Sequence, residues 1–180
     1  MVRQIAIFRS YALCRRAVQH IVGGRGGDHP SLFPAGTDRV KRGRIPCGVY
    51  LIFLELRLAE HIRSTGREWR LPPGVYAYAG SARTALFPRI LRHLKFVKKI
   101  HWHLDLLTTR PTVGVPLVLC TSRPELTECR LIRLVREHCP AAVPVAGFGN
   151  SDCPTGCPGH LLRLGSELPA TLPERLLAVL

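Results

Sequence analysis

A glutamate stands where an apolar side chain is expected. On the helix read over residues 125–138, positions 128, 131, 132 and 135 share one face, and they are Glu128, Leu131, Ile132 and Val135. Burying an ionised carboxylate costs roughly several kcal/mol unless a basic partner or a divalent metal offsets it. The plainer alternative is that Glu128, in the first turns, favours the helix dipole and reaches solvent. A helix read over residues 86–97 has the opposite character. Leu86, Ile90, Leu94 and Val97 form its core stripe, while Arg89 and His93, four apart, share a neighbouring face. Arg83, Arg89, Arg92, Lys95, Lys98 and Lys99 fall between positions 83 and 99 with no acid among them. Cations without counter-ions suit phosphate contacts, although a solvated basic face is the commonest reason for such a run.

Three further groups carry polar chemistry. Tyr50 lies in Gly48-Val49-Tyr50, and Tyr76 and Tyr78 are two apart, so they point to one side of a strand. A strand tyrosine ordinarily packs in a core with its hydroxyl satisfied. Cys153, Cys157 and His160 form C-x3-C-x2-H, three soft ligands within eight residues. Zinc needs a fourth ligand, for which Cys139, His138 and Cys129 are the candidates; a tight Pro/Gly loop with small apolar cysteines is the alternative. His101, His103 and Asp105 are spaced by two. On a helix His101 and Asp105 would pair, and on a strand all three would line one side as a metal triad.

Positioning these groups requires a mixture of strands and helices. Residues 49–56 (VYLIFLEL) are a continuous apolar run and read as a buried strand. Shorter strands are expected at 59–63, 75–79, 113–120, 143–148 and 160–164. Pro116 argues that 113–120 is an edge strand. Ser122-Arg123-Pro124-Glu125 has the capping-box pattern, and residues 169–180 are a short helix or a frayed tail. The fold class is α+β, with a small mixed or antiparallel sheet flanked by helices.

The 180 residues hold 26 Lys+Arg against 12 Asp+Glu, a net charge of +14, with 46% apolar residues. That balance excludes an acidic disordered protein and makes a polyanion the first partner to test. No apolar run reaches the roughly 18 residues of a membrane-spanning helix. Seven cysteines, an odd number, and arginines at 3, 9, 15 and 16 that interrupt any leader imply a reducing cytoplasmic setting with free or metal-bound thiols. Residues 1–45 hold nine basic and two acidic residues. They read as a basic extension with little structure, in which residues 5–22 form a short amphipathic helix if any; a nucleic-acid-binding arm and a transit peptide are the functional alternatives. Residues 46–165 are the patterned domain.

Taken together, Gly48-Val49-Tyr50 and Tyr78-Ala79-Gly80-Ser81-Ala82 resemble the strand pair that names the GIY-YIG nuclease superfamily. Arg89 and His93 on the next helix and Glu128 on a later one continue the pattern. The chain resembles the Uri-type branch more closely, whose members also occur fused to endonuclease III repair glycosylases. That similarity runs through the Pro73–Ala82 and Arg89–Leu94 segments, Lys98–Asp105, Glu128–Leu131, Gly147–Cys153 and Gly159–Leu161, covering about residues 46–165. Its ordered set is specific where any one piece is weak. The 30 residues from Gly48 to Tyr78 exceed the usual spacing, and residues 57–72 would form the extra hairpin of that branch.

The resemblance implies hydrolysis of DNA phosphodiester bonds with one Mg²⁺ or Mn²⁺, in association with DNA repair proteins. Tyr50 would activate the attacking water, Tyr78 order the water or phosphate, Arg89 steady the phosphate charge, His93 support proton transfer and Glu128 hold the metal. A tyrosine with a pKa near 10 needs nearby positive charge to act as a base at neutral pH. Arg83, Arg92, Lys95, Lys98 and Lys99 are the expected nucleic-acid contacts. Two other classes remain open: a non-catalytic nucleic-acid-binding module of the same fold, and a zinc-stabilised interaction protein.

Overall fold

A computed structural model describes residues 5–9, 47–64 and 66–180. Its main sheet has five strands in the order β1-β6-β2-β5-β7, every neighbouring pair antiparallel. The strands are β1 (Ile5–Arg9), β2 (Gly48–Leu56), β5 (Gly74–Ala82), β6 (Val113–Thr121) and β7 (Leu161–Gly165). Between β2 and β5 stands a separate hairpin, β3 (Glu60–Ser64) and β4 (Arg67–Leu71), inside the segment where an extra hairpin was expected. The helices are α1 (Leu86–Leu94), α2 (Asp105–Thr108), α3 (Glu128–His138) and α4 (Leu172–Val179).

The apolar run of β2 is unbroken over Val49–Leu54 because both faces of the sheet are covered; Glu55 beyond it is exposed. On one face Tyr50, Ile52, Leu54, Tyr76 and Tyr78 pack with Ile62 and Trp69 of the hairpin, Leu86 and Ile90 of α1, and Leu104, Leu107 and Phe148. On the other, Val49, Leu51, Phe53, Ala77 and Ala79 pack with Leu131, Ile132 and Val135 of α3 and Leu172, Leu176 and Leu180. Residues 166–180 therefore complete the second core.

Pro116 marks a bulge, not an edge. Strand β6 lies between β1 and β2, and its register with β2 shifts opposite Phe53–Glu55. One extra residue inverts the side-chain alternation. Val113 and Val115 face the first core, as do Val118 and Cys120, while Leu117 and Leu119 face the second.

Four further expectations are corrected. Residues 5–9 form an edge strand paired with Leu117–Thr121 rather than the start of a helix, and residues 10–46 lie outside the described part. Helix α1 ends at Leu94, so Val97 leaves the stripe and is 86% exposed. Helix α3 begins at Glu128, three residues after the start of the 125–138 reading, and its N-cap is Thr127 rather than Ser122: the Thr127 side chain accepts from Arg130 N, while Glu125 pairs with Arg123. Residues 143–148 are turns, and only Ala142 bridges to Arg163.

Candidate active site

The register of β2 and β5 places the two motif tyrosines on one face, with Tyr50 opposite Gly80 and Ile52 opposite Tyr78. Glycine is required at position 80, because a Cβ there would stand 2.4 Å from the Tyr50 ring. The β7 partner covers β5 only over Val75–Tyr78, so the end of β5 beyond Ala79 is an open edge. A cleft of about 590 Å³ opens there, lined by Tyr50, Tyr78, Ser81, Arg89, Trp102 and Glu128 among others.

Each of these side chains is held by a different element. The Tyr50 hydroxyl is 2.9 Å from His93 Nε2 on α1, and His93 Nδ1 is 3.0 Å from Asp105 Oδ1 at the start of α2. Asp105 is fully buried and surrounded by donors: Arg92 Nη1 at 2.7 Å, Lys98 Nζ at 3.3 Å, and the backbone N–H groups of His101 and Trp102. Burial opposes its charge, but the hydrogen bonds from His93, Arg92 and that backbone outweigh it and hold the carboxyl far below the ordinary range. An ionised Asp105 accepts only, so Nδ1 of His93 carries the proton. Burial lowers the His93 pKa despite Asp105, leaving a neutral ring whose Nε2 accepts from Tyr50 O–H. Burial also raises the Tyr50 and Tyr78 pKa values, with nearby carboxylates adding to the effect and Arg89 only partly countering it. Both are phenols rather than phenolates at neutral pH.

Arg89 Nη1 donates to Ser81 O at 3.0 Å, and its guanidinium lies 4.7 Å from the centre of the Trp102 ring. Arg92 stacks on the same ring at 4.5 Å. Among the described residues no carboxylate is ion-paired with Arg89, and its guanidinium keeps N–H donors beyond the one given to the Ser81 carbonyl. Glu128, the first residue of α3, accepts from Ser81 Oγ at 2.6 Å and faces His160 Nδ1 at 2.8 Å. It is the unusual acid on the apolar stripe, but its side chain is 23% exposed and turned to the cleft. Opposite, Gly149 (φ 75°) closes on Tyr78, where a Cβ would meet the ring at 2.6 Å. Its N–H donates to His103 Nδ1.

The sequence-derived site thus divides. Tyr50, Tyr78, Arg89 and Glu128 come together around the cleft, with His93 directly behind Tyr50. Arg83 lines the same cleft and is exposed, as are Lys95 and Lys99 outside it. Arg92 and Lys98 are turned inward. Lys98 Nζ bonds Asp105, Thr108 Oγ1 and the His93 carbonyl, and burial first of all lowers its pKa to about 8. Both cations are ion-paired with Asp105. His101 meets Asp105 through its backbone N–H, and His103 packs on Trp69 and Phe148, so the expected His101 side-chain pair and the triad are both absent.

Sequence reasoning missed Asp105 and Trp102 as partners of the site. Asp105 was visible only as a neighbour of His101, and nothing in the spacing ties it to a histidine twelve residues earlier. Trp102 carried no local signal.

Residues 49–177 match the family described as "Domain of unknown function DUF123". The chain belongs to the DUF123 family. No curated protein and no solved structure matches it. The DUF123 match begins within β2, one residue before Tyr50, and runs into α4, so it contains all the cleft residues named above and most of the C-terminal helix. No helix among the described residues is long and apolar enough to cross a membrane.

Proposed function

We propose that this DUF123 protein is a metal-dependent endonuclease of the GIY-YIG type, acting on DNA. The observation that carries the reading is the convergence of two tyrosines, an arginine with no ion-paired carboxylate among the described residues, and a carboxylate on one open cleft. These side chains come from β2, β5, α1 and α3, and no single element accounts for their meeting. The similarity to the Uri-type branch, with its inserted hairpin, supports the same reading.

The residues present fit a divalent cation. Glu128 has each carboxylate oxygen engaged once, by Ser81 and by His160, which leaves lone pairs toward the cleft. Mg²⁺ takes one or two protein carboxylates and keeps several waters, so Glu128 with solvent would suffice. When bound, such an ion supplies charge neutralisation to a phosphate and its leaving oxygen.

The chain's own groups supply the rest. Arg89, held against Trp102 and Ser81, offers its guanidinium to the non-bridging oxygens. Tyr78 bounds the floor of the cleft and orients water or phosphate. Tyr50 takes a proton from the attacking water while giving its own to His93 Nε2. The buried Asp105 then stabilises the imidazolium that results, and it fixes the ring's tautomer beforehand. A phenol whose pKa is raised cannot act as a base alone at neutral pH, and this relay supplies the missing acceptor.

Nicking of supercoiled plasmid with Mg²⁺ or Mn²⁺, and with EDTA, tests the reading. Metal-dependent nicking that falls about 10²–10³-fold in Arg89→Ala, the range for removal of one preorganised transition-state donor, and disappears in Glu128→Ala, is expected. Salt-sensitive binding without cleavage under any divalent ion would leave a binding module instead.

A further inference from the structure

We infer that Cys129, Cys153, Cys157 and His160 form a structural zinc site whose histidine is held by the cleft carboxylate Glu128. Four ligand atoms from three segments, the first turn of α3, the 153–157 loop and the residue before β7, lie within 4.8 Å of one another. Zn–S and Zn–N bonds of about 2.3 and 2.0–2.1 Å at tetrahedral angles place sulfurs about 3.8 Å apart and a sulfur about 3.6 Å from a ring nitrogen. Cys129 Sγ is 3.5 Å from Cys153 Sγ and 3.7 Å from His160 Nε2. The sulfur spacing is far beyond the roughly 2.05 Å of a disulfide and close to that of two thiolates on one ion. Three sulfurs and an imidazole in this arrangement select Zn²⁺ over hard cations such as Mg²⁺.

The surroundings are those of a ligand set. Thr155 Oγ1 lies 3.1 Å from Cys129 Sγ, 3.4 Å from Cys153 Sγ and 3.3 Å from Cys157 Sγ, a hydroxyl able to donate to thiolate. Cys129 and His160 are buried, and Cys153 and Cys157 are half-buried, so the loop shields the cluster. Of the three candidates for a fourth ligand, the fold selects Cys129; Cys139 instead donates its thiol to the Val135 carbonyl.

His160 joins this cluster to the cleft. Its Nε2 faces the sulfurs and its Nδ1 faces Glu128 Oε2 at 2.8 Å. A carboxylate on the far nitrogen of a metal-bound histidine fixes the tautomer and the ring's orientation. The same interaction fixes Glu128, so the ion that closes the 153–157 loop also sets one wall of the cleft. The zinc site stands without the nuclease reading; only the consequence for activity rests on it.

Metal analysis of the full chain, purified under reducing conditions and dialysed, should find one zinc per chain. Replacement by Co²⁺ should give the intense visible bands of a tetrahedral ion with thiolate charge transfer, and Cys153→Ser should weaken them. Because that variant could fail to fold, the Co²⁺ spectrum of the unaltered protein decides the matter. A metal-free protein with an octahedral, thiolate-free Co²⁺ spectrum overturns the site, and iron in place of zinc overturns the assigned metal. In chelator competition Glu128→Ala should bind zinc about 10–100-fold more weakly, with Glu128→Gln recovering part of the loss. Unchanged affinity in Glu128→Ala overturns the link to the cleft. None of these readouts uses cleavage, so a failed plasmid assay and a missing zinc site are separate results.

Discussion

His93 must remain neutral if Tyr50 is to have somewhere to send a proton. Burial keeps its pKa below the ordinary 6.5 even though Asp105 pulls the other way. The unfolded chain therefore binds the His93 proton at a higher pH than the folded one does. The stability associated with a neutral His93 is whole above about 6.5 and is lost as pH falls from there. Asp105 acts lower on the scale. Its depressed pKa gives stability that is present above the ordinary 3.8 and declines as pH falls below it. Urea midpoints measured against pH should show an upper acid limb that His93→Gln removes and a lower one that it leaves. A profile identical in both proteins between about pH 5 and 7 would contradict a neutral buried His93. Cleavage should follow the same upper limb, since a protonated His93 cannot accept from Tyr50. Tyr50→Phe should lose about 10²–10⁴ in rate across the range, the span assigned to positioned proton transfer.

At the scale of elements, the strand pair β2–β5 is the template for the site. Gly80→Ala is the sharpest probe of it, because the added methyl meets the ring and hydroxyl of Tyr50 at 2.4 Å. The phenol must move, and its bond to His93 is broken as it does. We expect a cleavage defect close to that of Tyr50→Phe. An overpacking cost of about 1–3 kcal/mol should appear in urea unfolding. Full activity in Gly80→Ala would mean that Tyr50 works from some other position. Thr127→Ala at the start of α3 should cost about 1 kcal/mol by removing the cap on Arg130 N–H. These elements were unevenly visible in the sequence. Tyr50, Tyr78, Arg89 and Glu128 were legible because short motifs survive in order along the chain. Strand β2 was legible because a strand buried on both faces reads as an apolar run, here Val49–Leu54, with the exposed Glu55 near its end. Strand β4 was not, since Arg67-Glu68-Trp69-Arg70-Leu71 exposes three polar positions around two buried ones over only five residues. Pro116 was misread because a proline missing from a ladder marks an edge or a bulge equally well, and only the register separates the two. Cys129 could be narrowed to one of three candidates, because the fourth ligand comes from a segment 24 residues before Cys153.

Across the whole molecule the charge is +14, and residues 1–45 carry nine basic and two acidic residues, half of that excess. The basic groups on the described surface are fewer than the sequence indicates, since Arg92 and Lys98 are committed to Asp105. Arg83, Lys95 and Lys99 remain exposed. Removing residues 1–45 should therefore weaken DNA binding more at low salt than at high salt. The slope of log K against log salt should become shallower by about 0.9 for each duplex phosphate that is no longer neutralised. The same truncation deletes β1 and uncovers the Leu117–Thr121 side of β6, a bare strand edge that favours pairing between copies. Two effects are thus superimposed, and they can be separated. Arg83→Ala in the full chain leaves β1 in place and removes one cation at the cleft, so it should reduce the slope by about 0.9 without changing the state of association. If the truncated protein binds with an unchanged salt slope, the N-terminal charge takes no part in binding. The polyanion would then be held by the cleft face alone.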